Sequence, residues 1–213
     1  MGCQPTLTKE QGLWARSFTR IAGIDEAGRG AWAGPVVAAA VILPHDRPDL
    51  ARRLAPVRDS KLLTARSREA CYDLVAAHSL AYAVGSASSD EVDALGIVPA
   101  TRRAMQRAVA ALAIDPDYLL IDALPLAEIP LPQEALPKAD MLHLSVAAAS
   151  IVAKVSRDRW MADVATRIGG YGFERHKGYG TPDHQDALRR LGPACHHRRS
   201  FAPIHSLVAG GDG

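Results

Sequence analysis

Three carboxylates directly follow apolar segments of the chain, and their placement could support metal chemistry. Asp25 and Glu26 come after the mostly apolar residues 20–24, and Asp122 comes after residues 118–121. A carboxylate at the end of a buried strand is costly to desolvate unless a cation or another partner compensates its charge. Oxygen ligands favour Mg²⁺ or Mn²⁺ over zinc, and two such ions can activate a water for hydrolysis of a phosphodiester. The placement is therefore compatible with a nuclease-type metal site.

The spacing of these acids alone leaves a second interpretation open. Aspartate is common at strand ends and in turns, where it is usually solvated and binds nothing. Against this, ligand sites in open α/β sheets lie just outside strand ends, where these acids would lie. The decision depends on the elements that carry the acids and on the sequence around them.

Hydrophobic spacing predicts the interleaved strands and helices of a mixed α/β sheet. Thr64 is a good N-cap for a helix over residues 65–78, in which Leu74 and Val75 point inward, and Ser89 is a candidate cap for the next helical stretch. The predicted strands cover residues 20–24, 35–43, 81–86 and 118–121. Gly96 and Pro99 interrupt the helical stretch after Ser89, which a helix over residues 100–112 completes. One further helix begins at about Leu144, and another covers residues 182–191.

Two segments near the candidate acids have unusual compositions. Four prolines between positions 125 and 137 predict an irregular surface excursion that returns at residues 138–140. Small residues at 147–150 and at Ala153 predict a helix that can lie close against the sheet. Its continuation through Lys154, Arg157 and Arg159 is expected to leave the core.

Composition predicts one domain with a basic C-terminal third. The chain has 213 residues, 48% of them hydrophobic, which is enough for one sizeable core. Its net charge is only +2, but residues 150–205 carry ten Lys and Arg against five Asp and Glu, a balance that suits a polyanionic partner. We expect a flexible leader over residues 1–19, a single domain over residues 20–205 and a flexible tail over residues 206–213.

Cysteine content and hydropathy favour a cytoplasmic location. The three cysteines form an odd and scattered set, which disfavours a disulfide framework. The apolar stretches are too short for a membrane span, and the N-terminal segment lacks a secretory signal. Met1, Gly2 and Thr6 fit the short myristoylation pattern, although an unstructured leader is the more economical interpretation.

Six sequence blocks resemble the type 2 ribonuclease H family and keep that family's order. The opening block matches the family signature almost position by position and reads IAGIDEAGRGAWAGPVVAAAVIL at residues 21–43. The others are DSKLLT at 59–64, SSDEVDALGIVPATRRAMQRAV at 88–109, ADMLHLSVAAASIVAKVSRDR at 139–159, HKGYGTPDH at 176–184 and HRRSFAP at 197–203. The resemblance points to the bacterial ribonuclease HII group. The related ribonuclease HIII carries an N-terminal extension domain, for which the 24 residues before Asp25 are too few.

The resemblance implies a ribonuclease H-like α/β fold, with a mixed five-stranded sheet whose first three strands are antiparallel, flanking helices and a helical C-terminal portion. In that family the acids matching Asp25, Glu26, Asp122 and Asp140 hold two divalent ions, Mn²⁺ or Mg²⁺. The implied activity is endonucleolytic hydrolysis 5′ of ribonucleotides, in RNA/DNA hybrids and at single ribonucleotides embedded in duplex DNA. Such an enzyme leaves 3′-hydroxyl and 5′-phosphate ends and suits ribonucleotide excision repair. We expect a monomer that binds these duplexes and no membrane.

The resemblance also implies which residues meet the substrate. The loop of Gly28, Arg29 and Gly30 senses the 2′-hydroxyl, because a missing Cβ lets backbone groups approach a sugar closely. Tyr179 packs at the junction between ribonucleotide and deoxyribonucleotide, and His176 is either a substrate contact or a packing residue. The expected phosphate contacts are Lys61, Lys177, Arg198 and Arg199.

The chain departs from the family pattern beside two of the acids. The family often has glycine and asparagine after the third acid, where Ala123 and Leu124 stand here. The glycine before the fourth acid is replaced by Ala139. Both acids are retained, so the departures concern the shape of the adjoining loops rather than the metal site.

Three other interpretations are weaker. The glycines of the opening block have the wrong spacing for a dinucleotide-binding loop. Cys195, His196 and His197 are adjacent in the chain and cannot easily converge on one zinc ion. A catalytically silent nucleic-acid binder with the same fold would need a defect among the acids, and the sequence contains none.

Overall fold

One mixed sheet of five strands organises the molecule, which a computed structural model describes over residues 4–209. The strand order is β3-β2-β1-β4-β5, and the strands are β1 (Ile21–Ala27), β2 (Val36–Ile42), β3 (Ala81–Ala87), β4 (Tyr118–Asp122) and β5 (Gln133–Leu136). The first three strands pair antiparallel, whereas β4 runs parallel to β1 and β5 runs parallel to β4. The sheet that the family resemblance implied is confirmed.

Helices cover both faces of the sheet. The helices are α1 (Thr8–Trp14), α2 (Leu50–Arg53), α3 (Ala65–His78), α4 (Ser89–Leu95), α5 (Ile97–Ala110), α6 (Leu144–Arg167), α7 (Phe173–His176), α8 (Pro182–Leu191) and α9 (Ala202–Ala209), and 3-10 turns lie at Ser60–Leu62 and Ala139–Met141. The side chains of the interior strand β2 alternate between the two resulting cores. Val41 packs with α3 and α6 on one face, and Ile42 packs with α5 on the other. Within residues 4–209, no helix combines the length and the apolar character needed to cross a bilayer.

Helix starts follow local capping chemistry, with two corrections to the prediction. The Thr64 side chain accepts a hydrogen bond from the Ser67 amide, so the predicted cap of α3 is confirmed. The cap of α4 is Ser88 rather than Ser89, because Ser88 forms a reciprocal capping box with Glu91. Pro99 does not interrupt a helix but lies in the first turn of α5, where a missing amide proton costs little.

The proline-rich passage contains the fifth strand, which the prediction of an irregular excursion missed. Strand β5 lies at the edge of the sheet, and Pro132 and Pro137 flank it rather than interrupt it. Prolines are tolerated beside an edge strand because they remove no hydrogen bond from its ladder. The Gln133 side chain also bonds to both the amide and the carbonyl of Leu126, which orders the loop before the strand.

Helix α6 is the longest element, and it lies unusually close to β1. A Cβ atom at Gly23 would lie 2.2 Å from the carbonyl carbon of Ser145, so only glycine permits this approach. The expectation that the helix leaves the core at its polar continuation is wrong for Arg157, which is 0% exposed.

The segments predicted to be a flexible leader and tail contain helices where the structure describes them. Helix α1 packs onto the core through Leu13, which contacts a cluster containing Ile21 and Leu120. Helix α9 continues through residue 209, so residues 206–209 are helical. An amphipathic segment gains stability by burying its apolar face even when its own helix propensity is low. The myristoylation pattern at Met1 and Gly2 lies outside the described residues.

Candidate active site

Three of the four predicted acids meet at one edge of the sheet. Asp25 and Glu26 lie in β1, and Asp122 is the last residue of β4. The two strands run parallel with Ile24 opposite Ile121, so the residues that follow this pair emerge at the same edge. One carboxylate oxygen from each of the three acids lies within 4.8 Å of the others.

The fourth acid lies next to this group but outside that 4.8 Å cluster. Asp140 belongs to the 3-10 turn that precedes α6, and it is 4% exposed. The turn is tied to β4 because the amide of Ala139 donates a 2.8 Å hydrogen bond to Oδ1 of Asp122. Burial raises the pKa of Asp140, and the nearby carboxylates of Asp59 and Asp122 raise it further. Asp140 therefore shares the electrostatic environment of the other acids.

The acids are poised to receive positive charge. Burial raises the pKa of Asp25 well above its ordinary value, and the carboxylates of Glu26 and Asp122 add to the effect. Burial also raises the pKa of Glu26, although the Arg29 guanidinium opposes it. Oε2 of Glu26 is buried without a hydrogen-bond partner. Crowded carboxylates, one of them with an unsatisfied buried oxygen, fit an oxygen-liganded divalent cation.

Lys61 is the exposed cation beside the acids, and Asp59 holds the turn that carries it. Burial by itself would lower the pKa of Lys61, but the surrounding carboxylates, Asp59 and Asp140 foremost, outweigh this and raise it. Oδ1 of Asp59 accepts a 2.9 Å hydrogen bond from the Lys61 amide. Asp59 was missed as a functional residue, although an aspartate two residues before a bonded amide is a common turn signal.

The loop after β1 has two glycines with different structural demands. Gly28 has a φ of 93°, and a Cβ there would lie 2.0 Å from Nε of Arg157. Gly30 is exposed, and nothing lies within 4 Å of the position a Cβ would take. Arg29, between them, donates to Oε1 of Glu26 at 3.3 Å. Gly28 is thus required by the fold, whereas the protein itself leaves space at Gly30.

Arg157 joins the loop after β1 to residues 176–179, which we call the HKGY turn. The sequence prediction missed this role. Its guanidinium donates to the carbonyls of Ala33, Pro35 and Lys177 at 2.9–3.0 Å. Its Cζ lies 5.3 Å from the centroid of the Tyr179 ring. Helical spacing from Ala153 gives the signal for this residue, because position 157 falls on the same buried face.

Arg198 does not serve as a phosphate contact. It is 0% exposed, and its guanidinium donates to the carbonyls of Gly34 and Arg29 at 2.8–3.0 Å. Burial, reinforced by the nearby Arg157 charge, lowers its pKa to about 9. Arg198 therefore fixes the backbone of the glycine loop through hydrogen bonds. Arg199 is exposed and Lys177 is half-buried, and together with Lys61 they remain candidates for phosphate contact.

The ring of His176 is held in place by hydrogen bonds within the chain. Its Nε2 lies 2.7 Å from the carbonyl of Tyr171, and its Nδ1 accepts from the Gly178 amide at 3.2 Å. Both ring nitrogens are thereby engaged. Tyr179 is half-buried like His176, and its ring also lies 5.5 Å from Nζ of Lys154.

Two further histidines form a buried pair beneath this turn. His184 Nε2 and His197 Nε2 are 3.0 Å apart, and Nδ1 of His184 faces the Tyr179 carbonyl at 3.0 Å. The Ala194 amide donates to Nδ1 of His197, so one shared proton between the Nε2 atoms satisfies the pair. His197 is thus engaged in packing, and within residues 4–209 the only cluster of three possible metal ligands is the acidic one, not the Cys195–His197 trio.

We expect the histidine pair to make stability fall as pH drops from about 6.5 to about 4. Burial, as the main cause, lowers the pKa of both His184 and His197 from 6.5 to about 4. In that window the unfolded chain binds protons that the folded chain excludes. The stability that the neutral histidine pair contributes is therefore complete above pH 6.5 and is lost toward pH 4.

Urea unfolding of wild type and His197→Gln at stepped pH measures this loss. The difference in the free energy of unfolding between the two proteins isolates the histidines from the acids that titrate nearby. We expect the difference to shrink as pH falls. A difference that stays constant from pH 7 to pH 4 would assign the lowered pKa values no role in stability.

Comparisons with known proteins agree on one family. The sequence profile of the family described as "Ribonuclease HII" matches residues 22–204. A protein of that name from Roseiflexus castenholzii is 52% identical over 210 residues, covering 97% of this chain and 92% of its own. The solved ribonuclease H2 from Pyrococcus horikoshii OT3 superposes with a TM-score of 0.74 at 24% identity, over 90% of this chain and 98% of its own. Bst-RNase HIII in complex with Mn²⁺ gives 0.67 at 22% identity, over 92% of this chain and 71% of its own. At those identities the two solved structures establish the fold alone.

Proposed function

The chain belongs to the ribonuclease HII family and is a metal-dependent endonuclease acting on RNA paired with DNA, and on that premise we propose that Asp25, Glu26, Asp122 and Asp140 are its catalytic carboxylates. The observation that carries the proposal is the convergence of three carboxylates within 4.8 Å at one sheet edge, with a buried oxygen of Glu26 left unsatisfied. Three like charges so close together are unfavourable unless a cation neutralises them.

The proposed reaction is hydrolysis of the phosphodiester 5′ of a ribonucleotide, leaving 3′-hydroxyl and 5′-phosphate ends. The proposed substrates are RNA/DNA hybrids and duplex DNA with a single embedded ribonucleotide. Two divalent ions, when bound, supply an activated water and stabilise the charge of the leaving oxygen. Manganese in the solved ribonuclease HIII supports Mn²⁺ as one of the candidate ions, with Mg²⁺ as the other.

The chain's own residues have separate parts in this proposal. The four carboxylates hold the ions, and the two strands and the 3-10 turn fix their relative positions. Lys61 offsets part of the carboxylate charge and stands at the exposed side of the site, where it can contact a phosphate. Lys177 and Arg199 extend that positive surface, which would make binding weaken with salt.

Recognition of the ribose is assigned to the glycine loop and to Tyr179. Backbone groups around Gly30 can approach a 2′-hydroxyl without regard to base identity, because no Cβ stands in the way. The Tyr179 ring, held over Arg157, offers a flat apolar surface to the neighbouring deoxyribose. One chain supplies all of these groups, which supports a monomer, and the free thiols of Cys71 and Cys195 suit the cytoplasm.

Cleavage mapping tests the proposed reaction. A duplex with one embedded ribonucleotide is incubated with the protein and either Mn²⁺ or Mg²⁺, beside an all-DNA duplex of the same sequence and a sample containing chelator. We expect a single cut 5′ of the ribonucleotide, with no cut in the two controls. Binding without any cut under every metal condition would indicate the silent binder instead.

Tyr179→Ala is expected to lower turnover on the single-ribonucleotide duplex by about fivefold, since an aromatic contact contributes about 1 kcal/mol. Affinity for the all-DNA duplex should change little, because phosphate contacts elsewhere provide most of it. Turnover and affinity are measured on all-DNA, single-ribonucleotide and hybrid duplexes. Tyr179→Phe is the matched control and should behave as wild type. If the preference among the three substrates is the same in Tyr179→Ala as in wild type, Tyr179 is a packing residue.

A further inference from the structure

The N-terminal segment forms backbone hydrogen bonds with the chain just after Asp140. The Thr6 amide donates to the carbonyl of Leu142 at 3.0 Å, and the Leu144 amide donates to the carbonyl of Thr6 at 3.0 Å. These two bonds form a parallel bridge between Thr6 and His143. The segment from Asp140 to the start of α6 therefore has its backbone fixed by residues far away in sequence.

Glu10 of helix α1 adds hydrogen bonds from a buried carboxylate to the same region of the chain. It is 0% exposed, and its Oε1 accepts hydrogen bonds from the amide of Ser145 at 2.9 Å and from its hydroxyl at 2.7 Å. Ser145 lies in the first turn of α6, whose own N-cap residue, His143, makes no side-chain cap. The first amides of a helix need acceptors, and a negative charge there is favourable. Glu10 thus caps α6 from a different helix.

The first turn of α6 lies close to the backbone that carries the acids. The backbone of Ser145 packs on Gly23, two residues before Asp25 in β1, at the close approach that excludes a Cβ. On the same helix as Glu10, Leu13 belongs to the hydrophobic cluster that contains Ala139, the residue before Asp140. Ala139 in turn donates its amide to Asp122. Contacts from α1 therefore reach the backbone beside three of the four acids.

We propose that Glu10 is a positioning residue of the metal site, which holds Asp140 at its place relative to Asp25 and Asp122 by capping α6. The inference rests on the proposed function of those acids. Glu10 itself touches neither ion nor substrate. Without its carboxylate, the amide and hydroxyl of Ser145 lose their acceptor in a buried environment, and the start of α6 must shift or hydrate. Groups that orient metal ligands in this way typically change metal affinity by about tenfold or more when removed.

Calorimetric titration with Mn²⁺ tests the proposal without relying on activity. We expect Glu10→Ala, titrated at a temperature where circular dichroism shows it folded, to bind Mn²⁺ about tenfold more weakly than wild type. Glu10→Gln keeps an acceptor oxygen but loses the charge, so a weakening of a few-fold is expected. In cleavage assays the Mn²⁺ concentration for half-maximal rate should rise, while the rate at saturating Mn²⁺ changes much less.

Met105→Ala is the control for simple loss of stability. Met105 is buried on the opposite face of the sheet, within the core formed with α5, so its truncation should lower the melting temperature and leave Mn²⁺ affinity unchanged. Wild-type Mn²⁺ affinity in Glu10→Ala, despite a lowered melting temperature, would overturn the proposal. If Glu10→Ala does not fold, wild-type affinity in Glu10→Gln has the same meaning.

Asp140→Asn separates this inference from the proposed function. If it binds Mn²⁺ as wild type does, Asp140 is no ligand, and both the proposed site and the role of Glu10 fail. If it binds weakly while both Glu10 variants bind normally, the site stands and only the inference about Glu10 fails.

Discussion

Replacing Asp25 with asparagine is expected to lower the cleavage rate roughly a thousandfold and to raise the melting temperature of the protein in chelator. The rate falls because several kcal/mol of transition-state stabilisation depends on the ions, and each 1.4 kcal/mol corresponds to about tenfold. Stability rises because burial and the charges of Glu26 and Asp122 raise the pKa of Asp25. A raised pKa means that the carboxyl weakens the folded state at pH values above its ordinary pKa, and asparagine removes the titrating group.

The measurements are single-turnover cleavage and thermal unfolding with and without Mn²⁺. Adding Mn²⁺ should stabilise wild type strongly and Asp25→Asn weakly, since ligand binding stabilises the state that binds it. Asp117→Asn is the control, because Asp117 lies outside the site and accepts hydrogen bonds from the amides of Thr19 and Arg20. It should lose some stability and keep its activity. Near-normal cleavage by Asp25→Asn would remove Asp25 from the metal site, and an unchanged melting temperature in chelator would contradict the electrostatic argument.

The second large effect is expected from Gly30→Val, which should fold as wild type but cleave the single-ribonucleotide duplex on the order of a hundredfold more slowly. The protein leaves open space where the new side chain would lie. A substrate sugar approaching the loop backbone would instead meet the two added methyl groups. A displacement of about 1 Å at a reacting centre is enough for a loss of that size.

Gly28→Ala provides the contrast, because its cost should appear in the fold. Its φ of 93° is unfavourable for alanine, and the new Cβ would lie 2.0 Å from Nε of Arg157. We expect a lowered melting temperature together with reduced cleavage of every substrate. Melting temperatures and cleavage rates of the two variants are compared in parallel. A Gly30→Val protein that cleaves normally would show that no substrate group approaches the backbone at this position.

Residue types and strand ends made Asp25, Glu26 and Asp122 candidates, and the family resemblance singled them out and added Asp140. Side-chain direction was not predictable from the motifs. Asp25, Glu26 and Asp122 follow apolar runs whose strand character is clear in the sequence, and the parallel pairing of β1 with β4 brings them together. Arg198 and His176 stand in matching blocks, but a block does not reveal whether a side chain faces solvent or the backbone beneath it. Both turned out to bond to carbonyls of their own chain.

Long-range contacts explain the remaining errors. Strand β5 is short and lies among prolines, so its existence depends on pairing with β4 rather than on its own composition. Helix α1 has little local signal and is held by Leu13 and by the bond from Ser145 to Glu10. Ala123, by contrast, was recognised as a departure from glycine, and its φ of 61° gives the physical reason that glycine is favoured there.

The two buried guanidiniums make the surface proposed to read the ribose rigid. Arg157 and Arg198 use their donors on carbonyls from the glycine loop, the segment leading to β2 and the HKGY turn, so these three pieces of backbone are fixed to one another during folding. The entropy of ordering the surface has therefore been lost before any duplex arrives, and encounter requires no slow loop closure there. A duplex therefore meets a surface whose backbone is already in place. Any change of shape needed at the junction between ribonucleotide and deoxyribonucleotide is made by the nucleic acid, which is the more deformable partner.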